Sequence, residues 1–296
     1  MQSENVVVIG AGQMGIGIVH AFAAAGYKVA MVDVNAARLD AASRAVGTIL
    51  AEGVKRGKVT NDAAQSCIAR ISGHTDLAAA AEGATLVVET ATEEVGLKMD
   101  LIARASEASA ENALIGSNTS ALSITELATA CREPAHFIGI HFFNPVYKMR
   151  LVELVRALQT SDDTLTRARN WAERIGKKSV VVNDSPGFTT SRISAMLGNE
   201  AMSMLAEGVA SAEDIDASLR MAFNHPMGPL ELGDLTGWDT RLKVLEYLHG
   251  ALGEKFRPNP LLVKMVKSGR YGRKVGHGVY RYRNGEKVPG SGLKVS

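Results

Sequence analysis

Cysteine is scarce in this sequence. Cys67 and Cys131 are the only two, far apart in the chain and outside any metal-ligand spacing. That excludes a disulfide framework and a cysteine metal site, and it leads us to expect two free thiols in a reducing cytoplasm. Excess charge of either sign is also missing, with Lys+Arg 33 against Asp+Glu 31. A nucleic-acid partner therefore has no electrostatic footprint here. No apolar run is long enough to span a bilayer, and the opening MQSEN lacks the basic start and apolar stretch of a signal peptide, so no membrane association is expected. Internal repeats and low-complexity tracts are absent as well.

What remains is a chain of 296 residues, enough for two domains. Its first half alternates short β-branched runs with amphipathic stretches, the pattern of a mostly parallel sheet covered by helices. Eight strands are predicted: NVVVIG, KVAMVD, RISGH, ATLVVET, ALIGSN, HFIGIHF, RLVELV and KSVVVND. Helices are predicted over 14–25, 36–56, 94–109 and 162–175, and SITE at 123–126 reads as a capping box. After DSPGF the period changes to a helical one, and SAED at 211–214 caps a further helix. The fold expected is thus α/β, a Rossmann-type doubly wound sheet over 1–185, followed by an all-helical domain over 186–296 for substrate binding and dimerisation.

Gly10, Gly12 and Gly15 stand in G-x-G-x-x-G spacing between an apolar strand and a helix, and a second strand ends in Asp33 about 20 residues on. Gly10 allows the tight turn, Gly12 lets a pyrophosphate approach the backbone, and Gly15 lets helix pack on strand. The start of the helix, with Gln13 and Met14, offers N–H groups and a positive dipole end. Asp33 would bond the ribose hydroxyls of NAD and repel the 2′-phosphate of NADP, so NAD is the cofactor expected.

Ligands of doubly wound sheets sit beyond the carboxyl ends of the strands. Those ends read GAGQMG, TATEE, SNTS (with Asn118) and HFFNP, each polar or glycine-rich after an apolar run. His141 alone of the seven histidines sits at such an end. Glu153 lies inside the apolar LVELV, where an unpaired carboxylate is costly. If the two runs are neighbouring strands, Glu153 reaches one ring nitrogen of His141 and leaves the other as a base. The competing reading pairs Glu153 with Arg150 or Arg156. The basic helix end GVKRGK, with Lys55, Arg56 and Lys58, suits phosphates, or else is a solvated end favoured by the helix dipole.

Taken in order, GAGQMG, SNTS, HFFNP, LVELV, DSPGF, HPMGPLELGD and GRKVGHGVY resemble the L-3-hydroxyacyl-CoA dehydrogenase family, short-chain 3-hydroxybutyryl-CoA enzymes included. The resemblance implies NAD-linked interconversion of 3-hydroxyacyl-CoA and 3-ketoacyl-CoA in a two-domain homodimer. It places the catalytic pair on His141 and Glu153, the substrate-oxygen serine on Ser120, and the active-site asparagine on Asn144. Cofactor contacts fall on Glu93, Lys98, Ser120 and Lys274. The family has basic residues in the region of Lys55, Arg56 and Lys58, so the coenzyme A phosphates and a solvated helix end both stay open for that cluster. One position departs from the pattern: Ser191 stands where the family usually carries asparagine. Two other functions fit parts of the pattern. One is dehydrogenation of a free hydroxy acid, as in gulonate and carnitine dehydrogenases. The other is a non-catalytic NAD-binding sensor or structural protein, which has no need of a base.

Overall fold

The computed structural model of the chain describes residues 5–295. It divides into two compact units that meet between Ser185 and Pro186.

The first unit is one eight-stranded sheet with helices interleaved along the chain. Its strands are β1 (Asn5–Ile9), β2 (Lys28–Val32), β3 (Ile71–His74), β4 (Leu86–Glu89), β5 (Leu114–Ser117), β6 (Phe137–Phe142), β7 (Leu151–Arg156) and β8 (Lys178–Asn183). They run in the order β3-β2-β1-β4-β5-β6-β7-β8. Pairing is parallel throughout except between β6 and β7, which are antiparallel. The strand order reverses between β1 and β4, which is the switch point where such sheets bind ligands. Central strands read as unbroken apolar runs, because a sheet covered on both faces has no wet side. Val6, Val8, Leu86, Val88 and Leu114 are all buried in that core, packed with Ile18, Val19 and Phe22 of the first helix.

The helices of this unit are α1 (Gln13–Ala24), α2 (Ala36–Lys55), α3 (Asn61–Ile68), α4 (Leu77–Ala81), α5 (Val95–Ala108), α6 (Ile124–Ala128) and α7 (Asp162–Arg174). Side-chain caps start several of them. Asn35, Thr60, Asp76, Ser123 and Ser161 each accept a hydrogen bond from an N–H of the first turn.

The second unit is helical: α8 (Thr190–Ala206), α9 (Ala212–Phe223), α10 (Pro229–Thr236), α11 (Trp238–Leu252) and α12 (Pro260–Lys267). It also carries a feature the helical period does not announce, a two-stranded hairpin pairing Tyr282–Arg283 with Glu286–Lys287. Trp238, Leu245, Phe256 and Tyr280 form its core. Asp234 pins the segment before the hairpin by accepting from Val279 N–H, Tyr280 N–H and Trp238 Nε1–H.

Candidate active site

The loop from β1 into α1 is built for close approach of a ligand. Gly10 has φ +106°, a left-handed backbone that suits glycine. A Cβ on Gly15 would fall 1.8 Å from the Gly10 carbonyl oxygen, so the helix can lie against the strand only with glycine there. Gly12 differs from both, because a Cβ placed on it meets no atom within 4 Å. Space therefore lies directly against the backbone at the start of α1, whose first turn has no side-chain cap. Gln13 is exposed and Met14 half-buried at that helix start. At the end of β2, Asp33 Oδ2 accepts from Ala11 N–H at 3.1 Å and Oδ1 from Asn35 N–H at 3.1 Å. The acid is thereby fixed beside the glycine loop. These features fit a dinucleotide: room for the pyrophosphate at Gly12, free donors at the helix end, and a carboxylate for the ribose.

Near the end of β6 and within β7, His141 and Glu153 are directly opposed partners in the antiparallel ladder. His141 Nδ1 and Glu153 Oε2 lie 2.7 Å apart, and Glu153 is fully buried while His141 is 6 % exposed. A carboxylate only accepts, so the shared proton sits on Nδ1 and the lone pair of the neutral ring is on Nε2. Of the two arginines weighed for Glu153, Arg156 pairs instead with Asp162 at 2.7 Å. The buried carboxylate in LVELV is thus explained by the histidine across the strand.

Asn118, beyond the end of β5, is buried and accepts from Phe142 N–H at 2.8 Å, tying its loop to the end of the histidine strand. Ser120, one turn further, donates from both N–H (2.7 Å) and Oγ (3.0 Å) to Glu93 Oε1. Asn144 is exposed and precedes a cis Pro145.

Lys98, expected from the resemblance to contact the cofactor, is buried and bonded within the protein. Its ammonium is 1 % exposed and lies 3.0 Å from each carboxylate oxygen of Glu89, with Glu93 Oε2 at 3.7 Å. Its first partner is the protein. Glu89, fully buried at the end of β4, escaped sequence reasoning, yet the signal was the one that marks Glu153: a carboxylate set in an apolar run.

The basic helix end divides. Arg56 and Lys58 line a cleft of ≈ 370 Å³ together with Tyr147 and Lys148, which follow HFFNP. Lys55 is exposed on the last turn of α2 and is not among its lining residues. Arg56 also pairs with Glu52 at 3.3 Å, both largely exposed, so that contact contributes little to stability. Tyr147 and Lys148 carried no motif and were not singled out from the sequence. His20 lies close by, its ring edge-on to Tyr147 at 6.2 Å. Burial and then the nearby Lys177 hold its imidazole below the ordinary range.

Ser191 and Lys274 belong to the second unit. Ser191 is half-buried in the first turn of α8, and Lys274 donates to Asp239 at 2.7 Å.

Comparison with known proteins agrees along the chain. Residues 5–185 match the family model described as 3-hydroxyacyl-CoA dehydrogenase, NAD binding domain, and residues 187–282 match its C-terminal domain. A Deinococcus radiodurans protein named "Probable 3-hydroxybutyryl-CoA dehydrogenase" is 44% identical over 93% of this chain and 99% of its own. The 3-hydroxybutyryl-CoA dehydrogenase of Bradyrhizobium diazoefficiens is 42% identical over 97% of this chain and 98% of its own. Among solved structures, the (S)-3-hydroxybutyryl-CoA dehydrogenase of Ralstonia eutropha superposes with TM-score 0.91 at 41% identity, covering 96% of this chain and 100% of that one. The chain belongs to the 3-hydroxyacyl-CoA dehydrogenase family.

Proposed function

We propose that this chain oxidises the 3-hydroxyl of a short-chain L-3-hydroxyacyl-CoA such as 3-hydroxybutyryl-CoA, with NAD, and catalyses the reverse reduction. The observation that carries the reading is the buried pair of His141 and Glu153 at 2.7 Å, at the strand ends of a family-wide match. Gly10, Gly12, Gly15 and Asp33 would hold NAD, with Gln13 and Met14 at the helix start and Asn118, Glu93 and Ser120 on the nicotinamide side. When bound, NAD supplies the hydride acceptor.

The protein's own part is proton transfer and orientation. His141 takes the hydroxyl proton on Nε2, and Glu153 stabilises the imidazolium that forms. Glu153 also fixes the tautomer, which keeps the basic nitrogen on the side away from the strand partner. Ser120 and Asn144 hold the substrate oxygen, and alignment of the reacting atoms supplies much of the rate. Ser191 offers one hydroxyl where an asparagine would offer donor and acceptor, a gap that a water can bridge at a cost of at most about 2 kcal/mol. Ser191→Ala is then expected to cost about tenfold or less in kcat/KM.

Arg56, Lys58 and Lys148 would receive the phosphates of coenzyme A. A homodimer in the cytoplasm belongs to the same reading. It is supported by apolar side chains left open on the second unit, Ile193 at 61% and Phe223 at 65% exposure, and by two free, buried cysteines. Fatty-acid β-oxidation or butanoate metabolism is the setting such a reaction serves.

The test is NAD reduction with L- and D-3-hydroxybutyryl-CoA. Turnover of the L form alone is expected, and turnover of neither removes the assignment.

A further inference from the structure

Beneath Ser120 lies a buried chain of charges. Glu89 accepts from Ser117 Oγ–H at 2.6 Å, from Ala91 N–H, and twice from Lys98 at 3.0 Å. Lys98, in turn, donates to the Ala91 carbonyl at 3.1 Å and faces Glu93 Oε2 at 3.7 Å. The other oxygen of Glu93 takes both donors of Ser120. The loops that follow β4 and β5 are thereby joined through one ammonium, on α5, between two carboxylates.

A fully buried carboxylate and ammonium are expensive to desolvate, and an apolar pair would pack there at least as well. Stability alone therefore gives little reason for Glu89 and Lys98. What an apolar pair cannot do is hold a half-exposed glutamate at a fixed point. Glu93 has 44 % side-chain exposure, and the buried ammonium of Lys98 faces it at 3.7 Å. We propose that Glu89 is a positioning residue for the reaction: by anchoring Lys98 it holds Glu93, and through Glu93 it orients Ser120. This rests on the dehydrogenase reading for the role of Ser120.

The proposal is tested on the full-length protein by a cycle of Glu89→Gln, Glu93→Gln and the double variant. Each is measured for kcat and KM with acetoacetyl-CoA and NADH, and for NADH affinity by fluorescence. Glu89→Gln is expected to lower kcat roughly tenfold with KM for acetoacetyl-CoA changed less than about threefold, and to weaken NADH about threefold. In the Glu93→Gln background the same change should cost less than about threefold in kcat, because the link it acts through is already cut. An equal loss in both backgrounds, or no loss at all, overturns the proposal. Should Glu89→Gln leave Lys98 unpaired and the protein unfolded, Glu89→Gln with Lys98→Met removes both charges and keeps the fold. That variant should show the same fall in kcat, and wild-type kcat in it also overturns the proposal. If the wild-type protein does not turn over acetoacetyl-CoA, the dehydrogenase reading fails by itself. NADH affinity then decides, and an affinity unchanged in Glu89→Gln rejects the anchor.

Discussion

His141 and Glu153 oppose each other across the one antiparallel pairing of the main sheet, with Nδ1 and Oε2 2.7 Å apart. Directly opposed residues in such a ladder have neighbouring Cβ atoms on one face, so contact needs no unusual rotamer. Removing the ring should stop the chemistry and spare the cofactor. His141→Ala is expected to lose a hundredfold or more of kcat, the usual worth of a positioned base, with NADH affinity near wild type. Glu153→Gln keeps the shape but not the charge and should lose about tenfold or more. Unchanged turnover in Glu153→Gln would return the glutamate to a structural role.

The glycine loop separates binding from folding. Gly12 is extended, with φ −81°, and a Cβ there meets no protein atom. Gly12→Val should fold normally and weaken NADH at least about tenfold, or about 1.4 kcal/mol. Gly15→Ala forces a Cβ onto the Gly10 carbonyl and should destabilise the protein by about 1–3 kcal/mol, read as a lower denaturant midpoint. Equal NADH affinity in Gly12→Val and wild type contradicts the assignment of this loop.

Asp33 is held in place by Ala11 and Asn35 N–H groups, so its charge cannot swing away from an incoming 2′-phosphate. NADH should be preferred over NADPH by tenfold or more, on the order of 1.4 kcal/mol. Asp33→Ala should narrow that gap while raising the apparent constant for NADH. Equal rates with both cofactors rule out this role for Asp33.

Much of this architecture was legible in the sequence because the signals are local. Eight β-branched runs became eight strands, and Ser123 and Ser211 cap their helices as the spacing implies. Glu153 was legible because burial makes a lone charge conspicuous. The partner of Lys98 was not legible, for the opposite reason. Glu89 lies nine residues back on another element, and no period links a strand end to the second turn of the next helix. Tyr147 and Lys148 join Arg56 only through the fold, so the cleft they share had no linear trace.

That cleft makes a graded prediction. Neutralising Arg56 and Lys58 together should raise KM for acetoacetyl-CoA and flatten its salt dependence, leaving NADH affinity alone. Lys55→Ala, outside the lining, should do neither. An unchanged KM in the double variant identifies the cluster as a solvated helix end.

His20 supplies a pH dependence. Burial, then Lys177, holds its ring below the ordinary 6.5, and its Nδ1 is buried without a hydrogen-bond partner among the described residues. The unfolded chain therefore takes up a proton that the fold refuses. Its contribution to stability is present above about 6.5 and is lost as pH falls from there towards the lowered value. His20→Gln should flatten the fall in melting temperature between pH 7.5 and 5.5 in scanning calorimetry. A variant as acid-sensitive as wild type assigns that loss to other groups.

The most direct measurement is NADH oxidation with acetoacetyl-CoA beside free acetoacetate, at matched concentrations. The account predicts rapid NADH consumption with the thioester and at least a hundredfold less with the free acid, since only the thioester can engage Arg56, Lys58 and Lys148. Comparable rates with both, or oxidation of NADH with acetoacetate alone, would contradict it and point to a dehydrogenase of a free hydroxy acid.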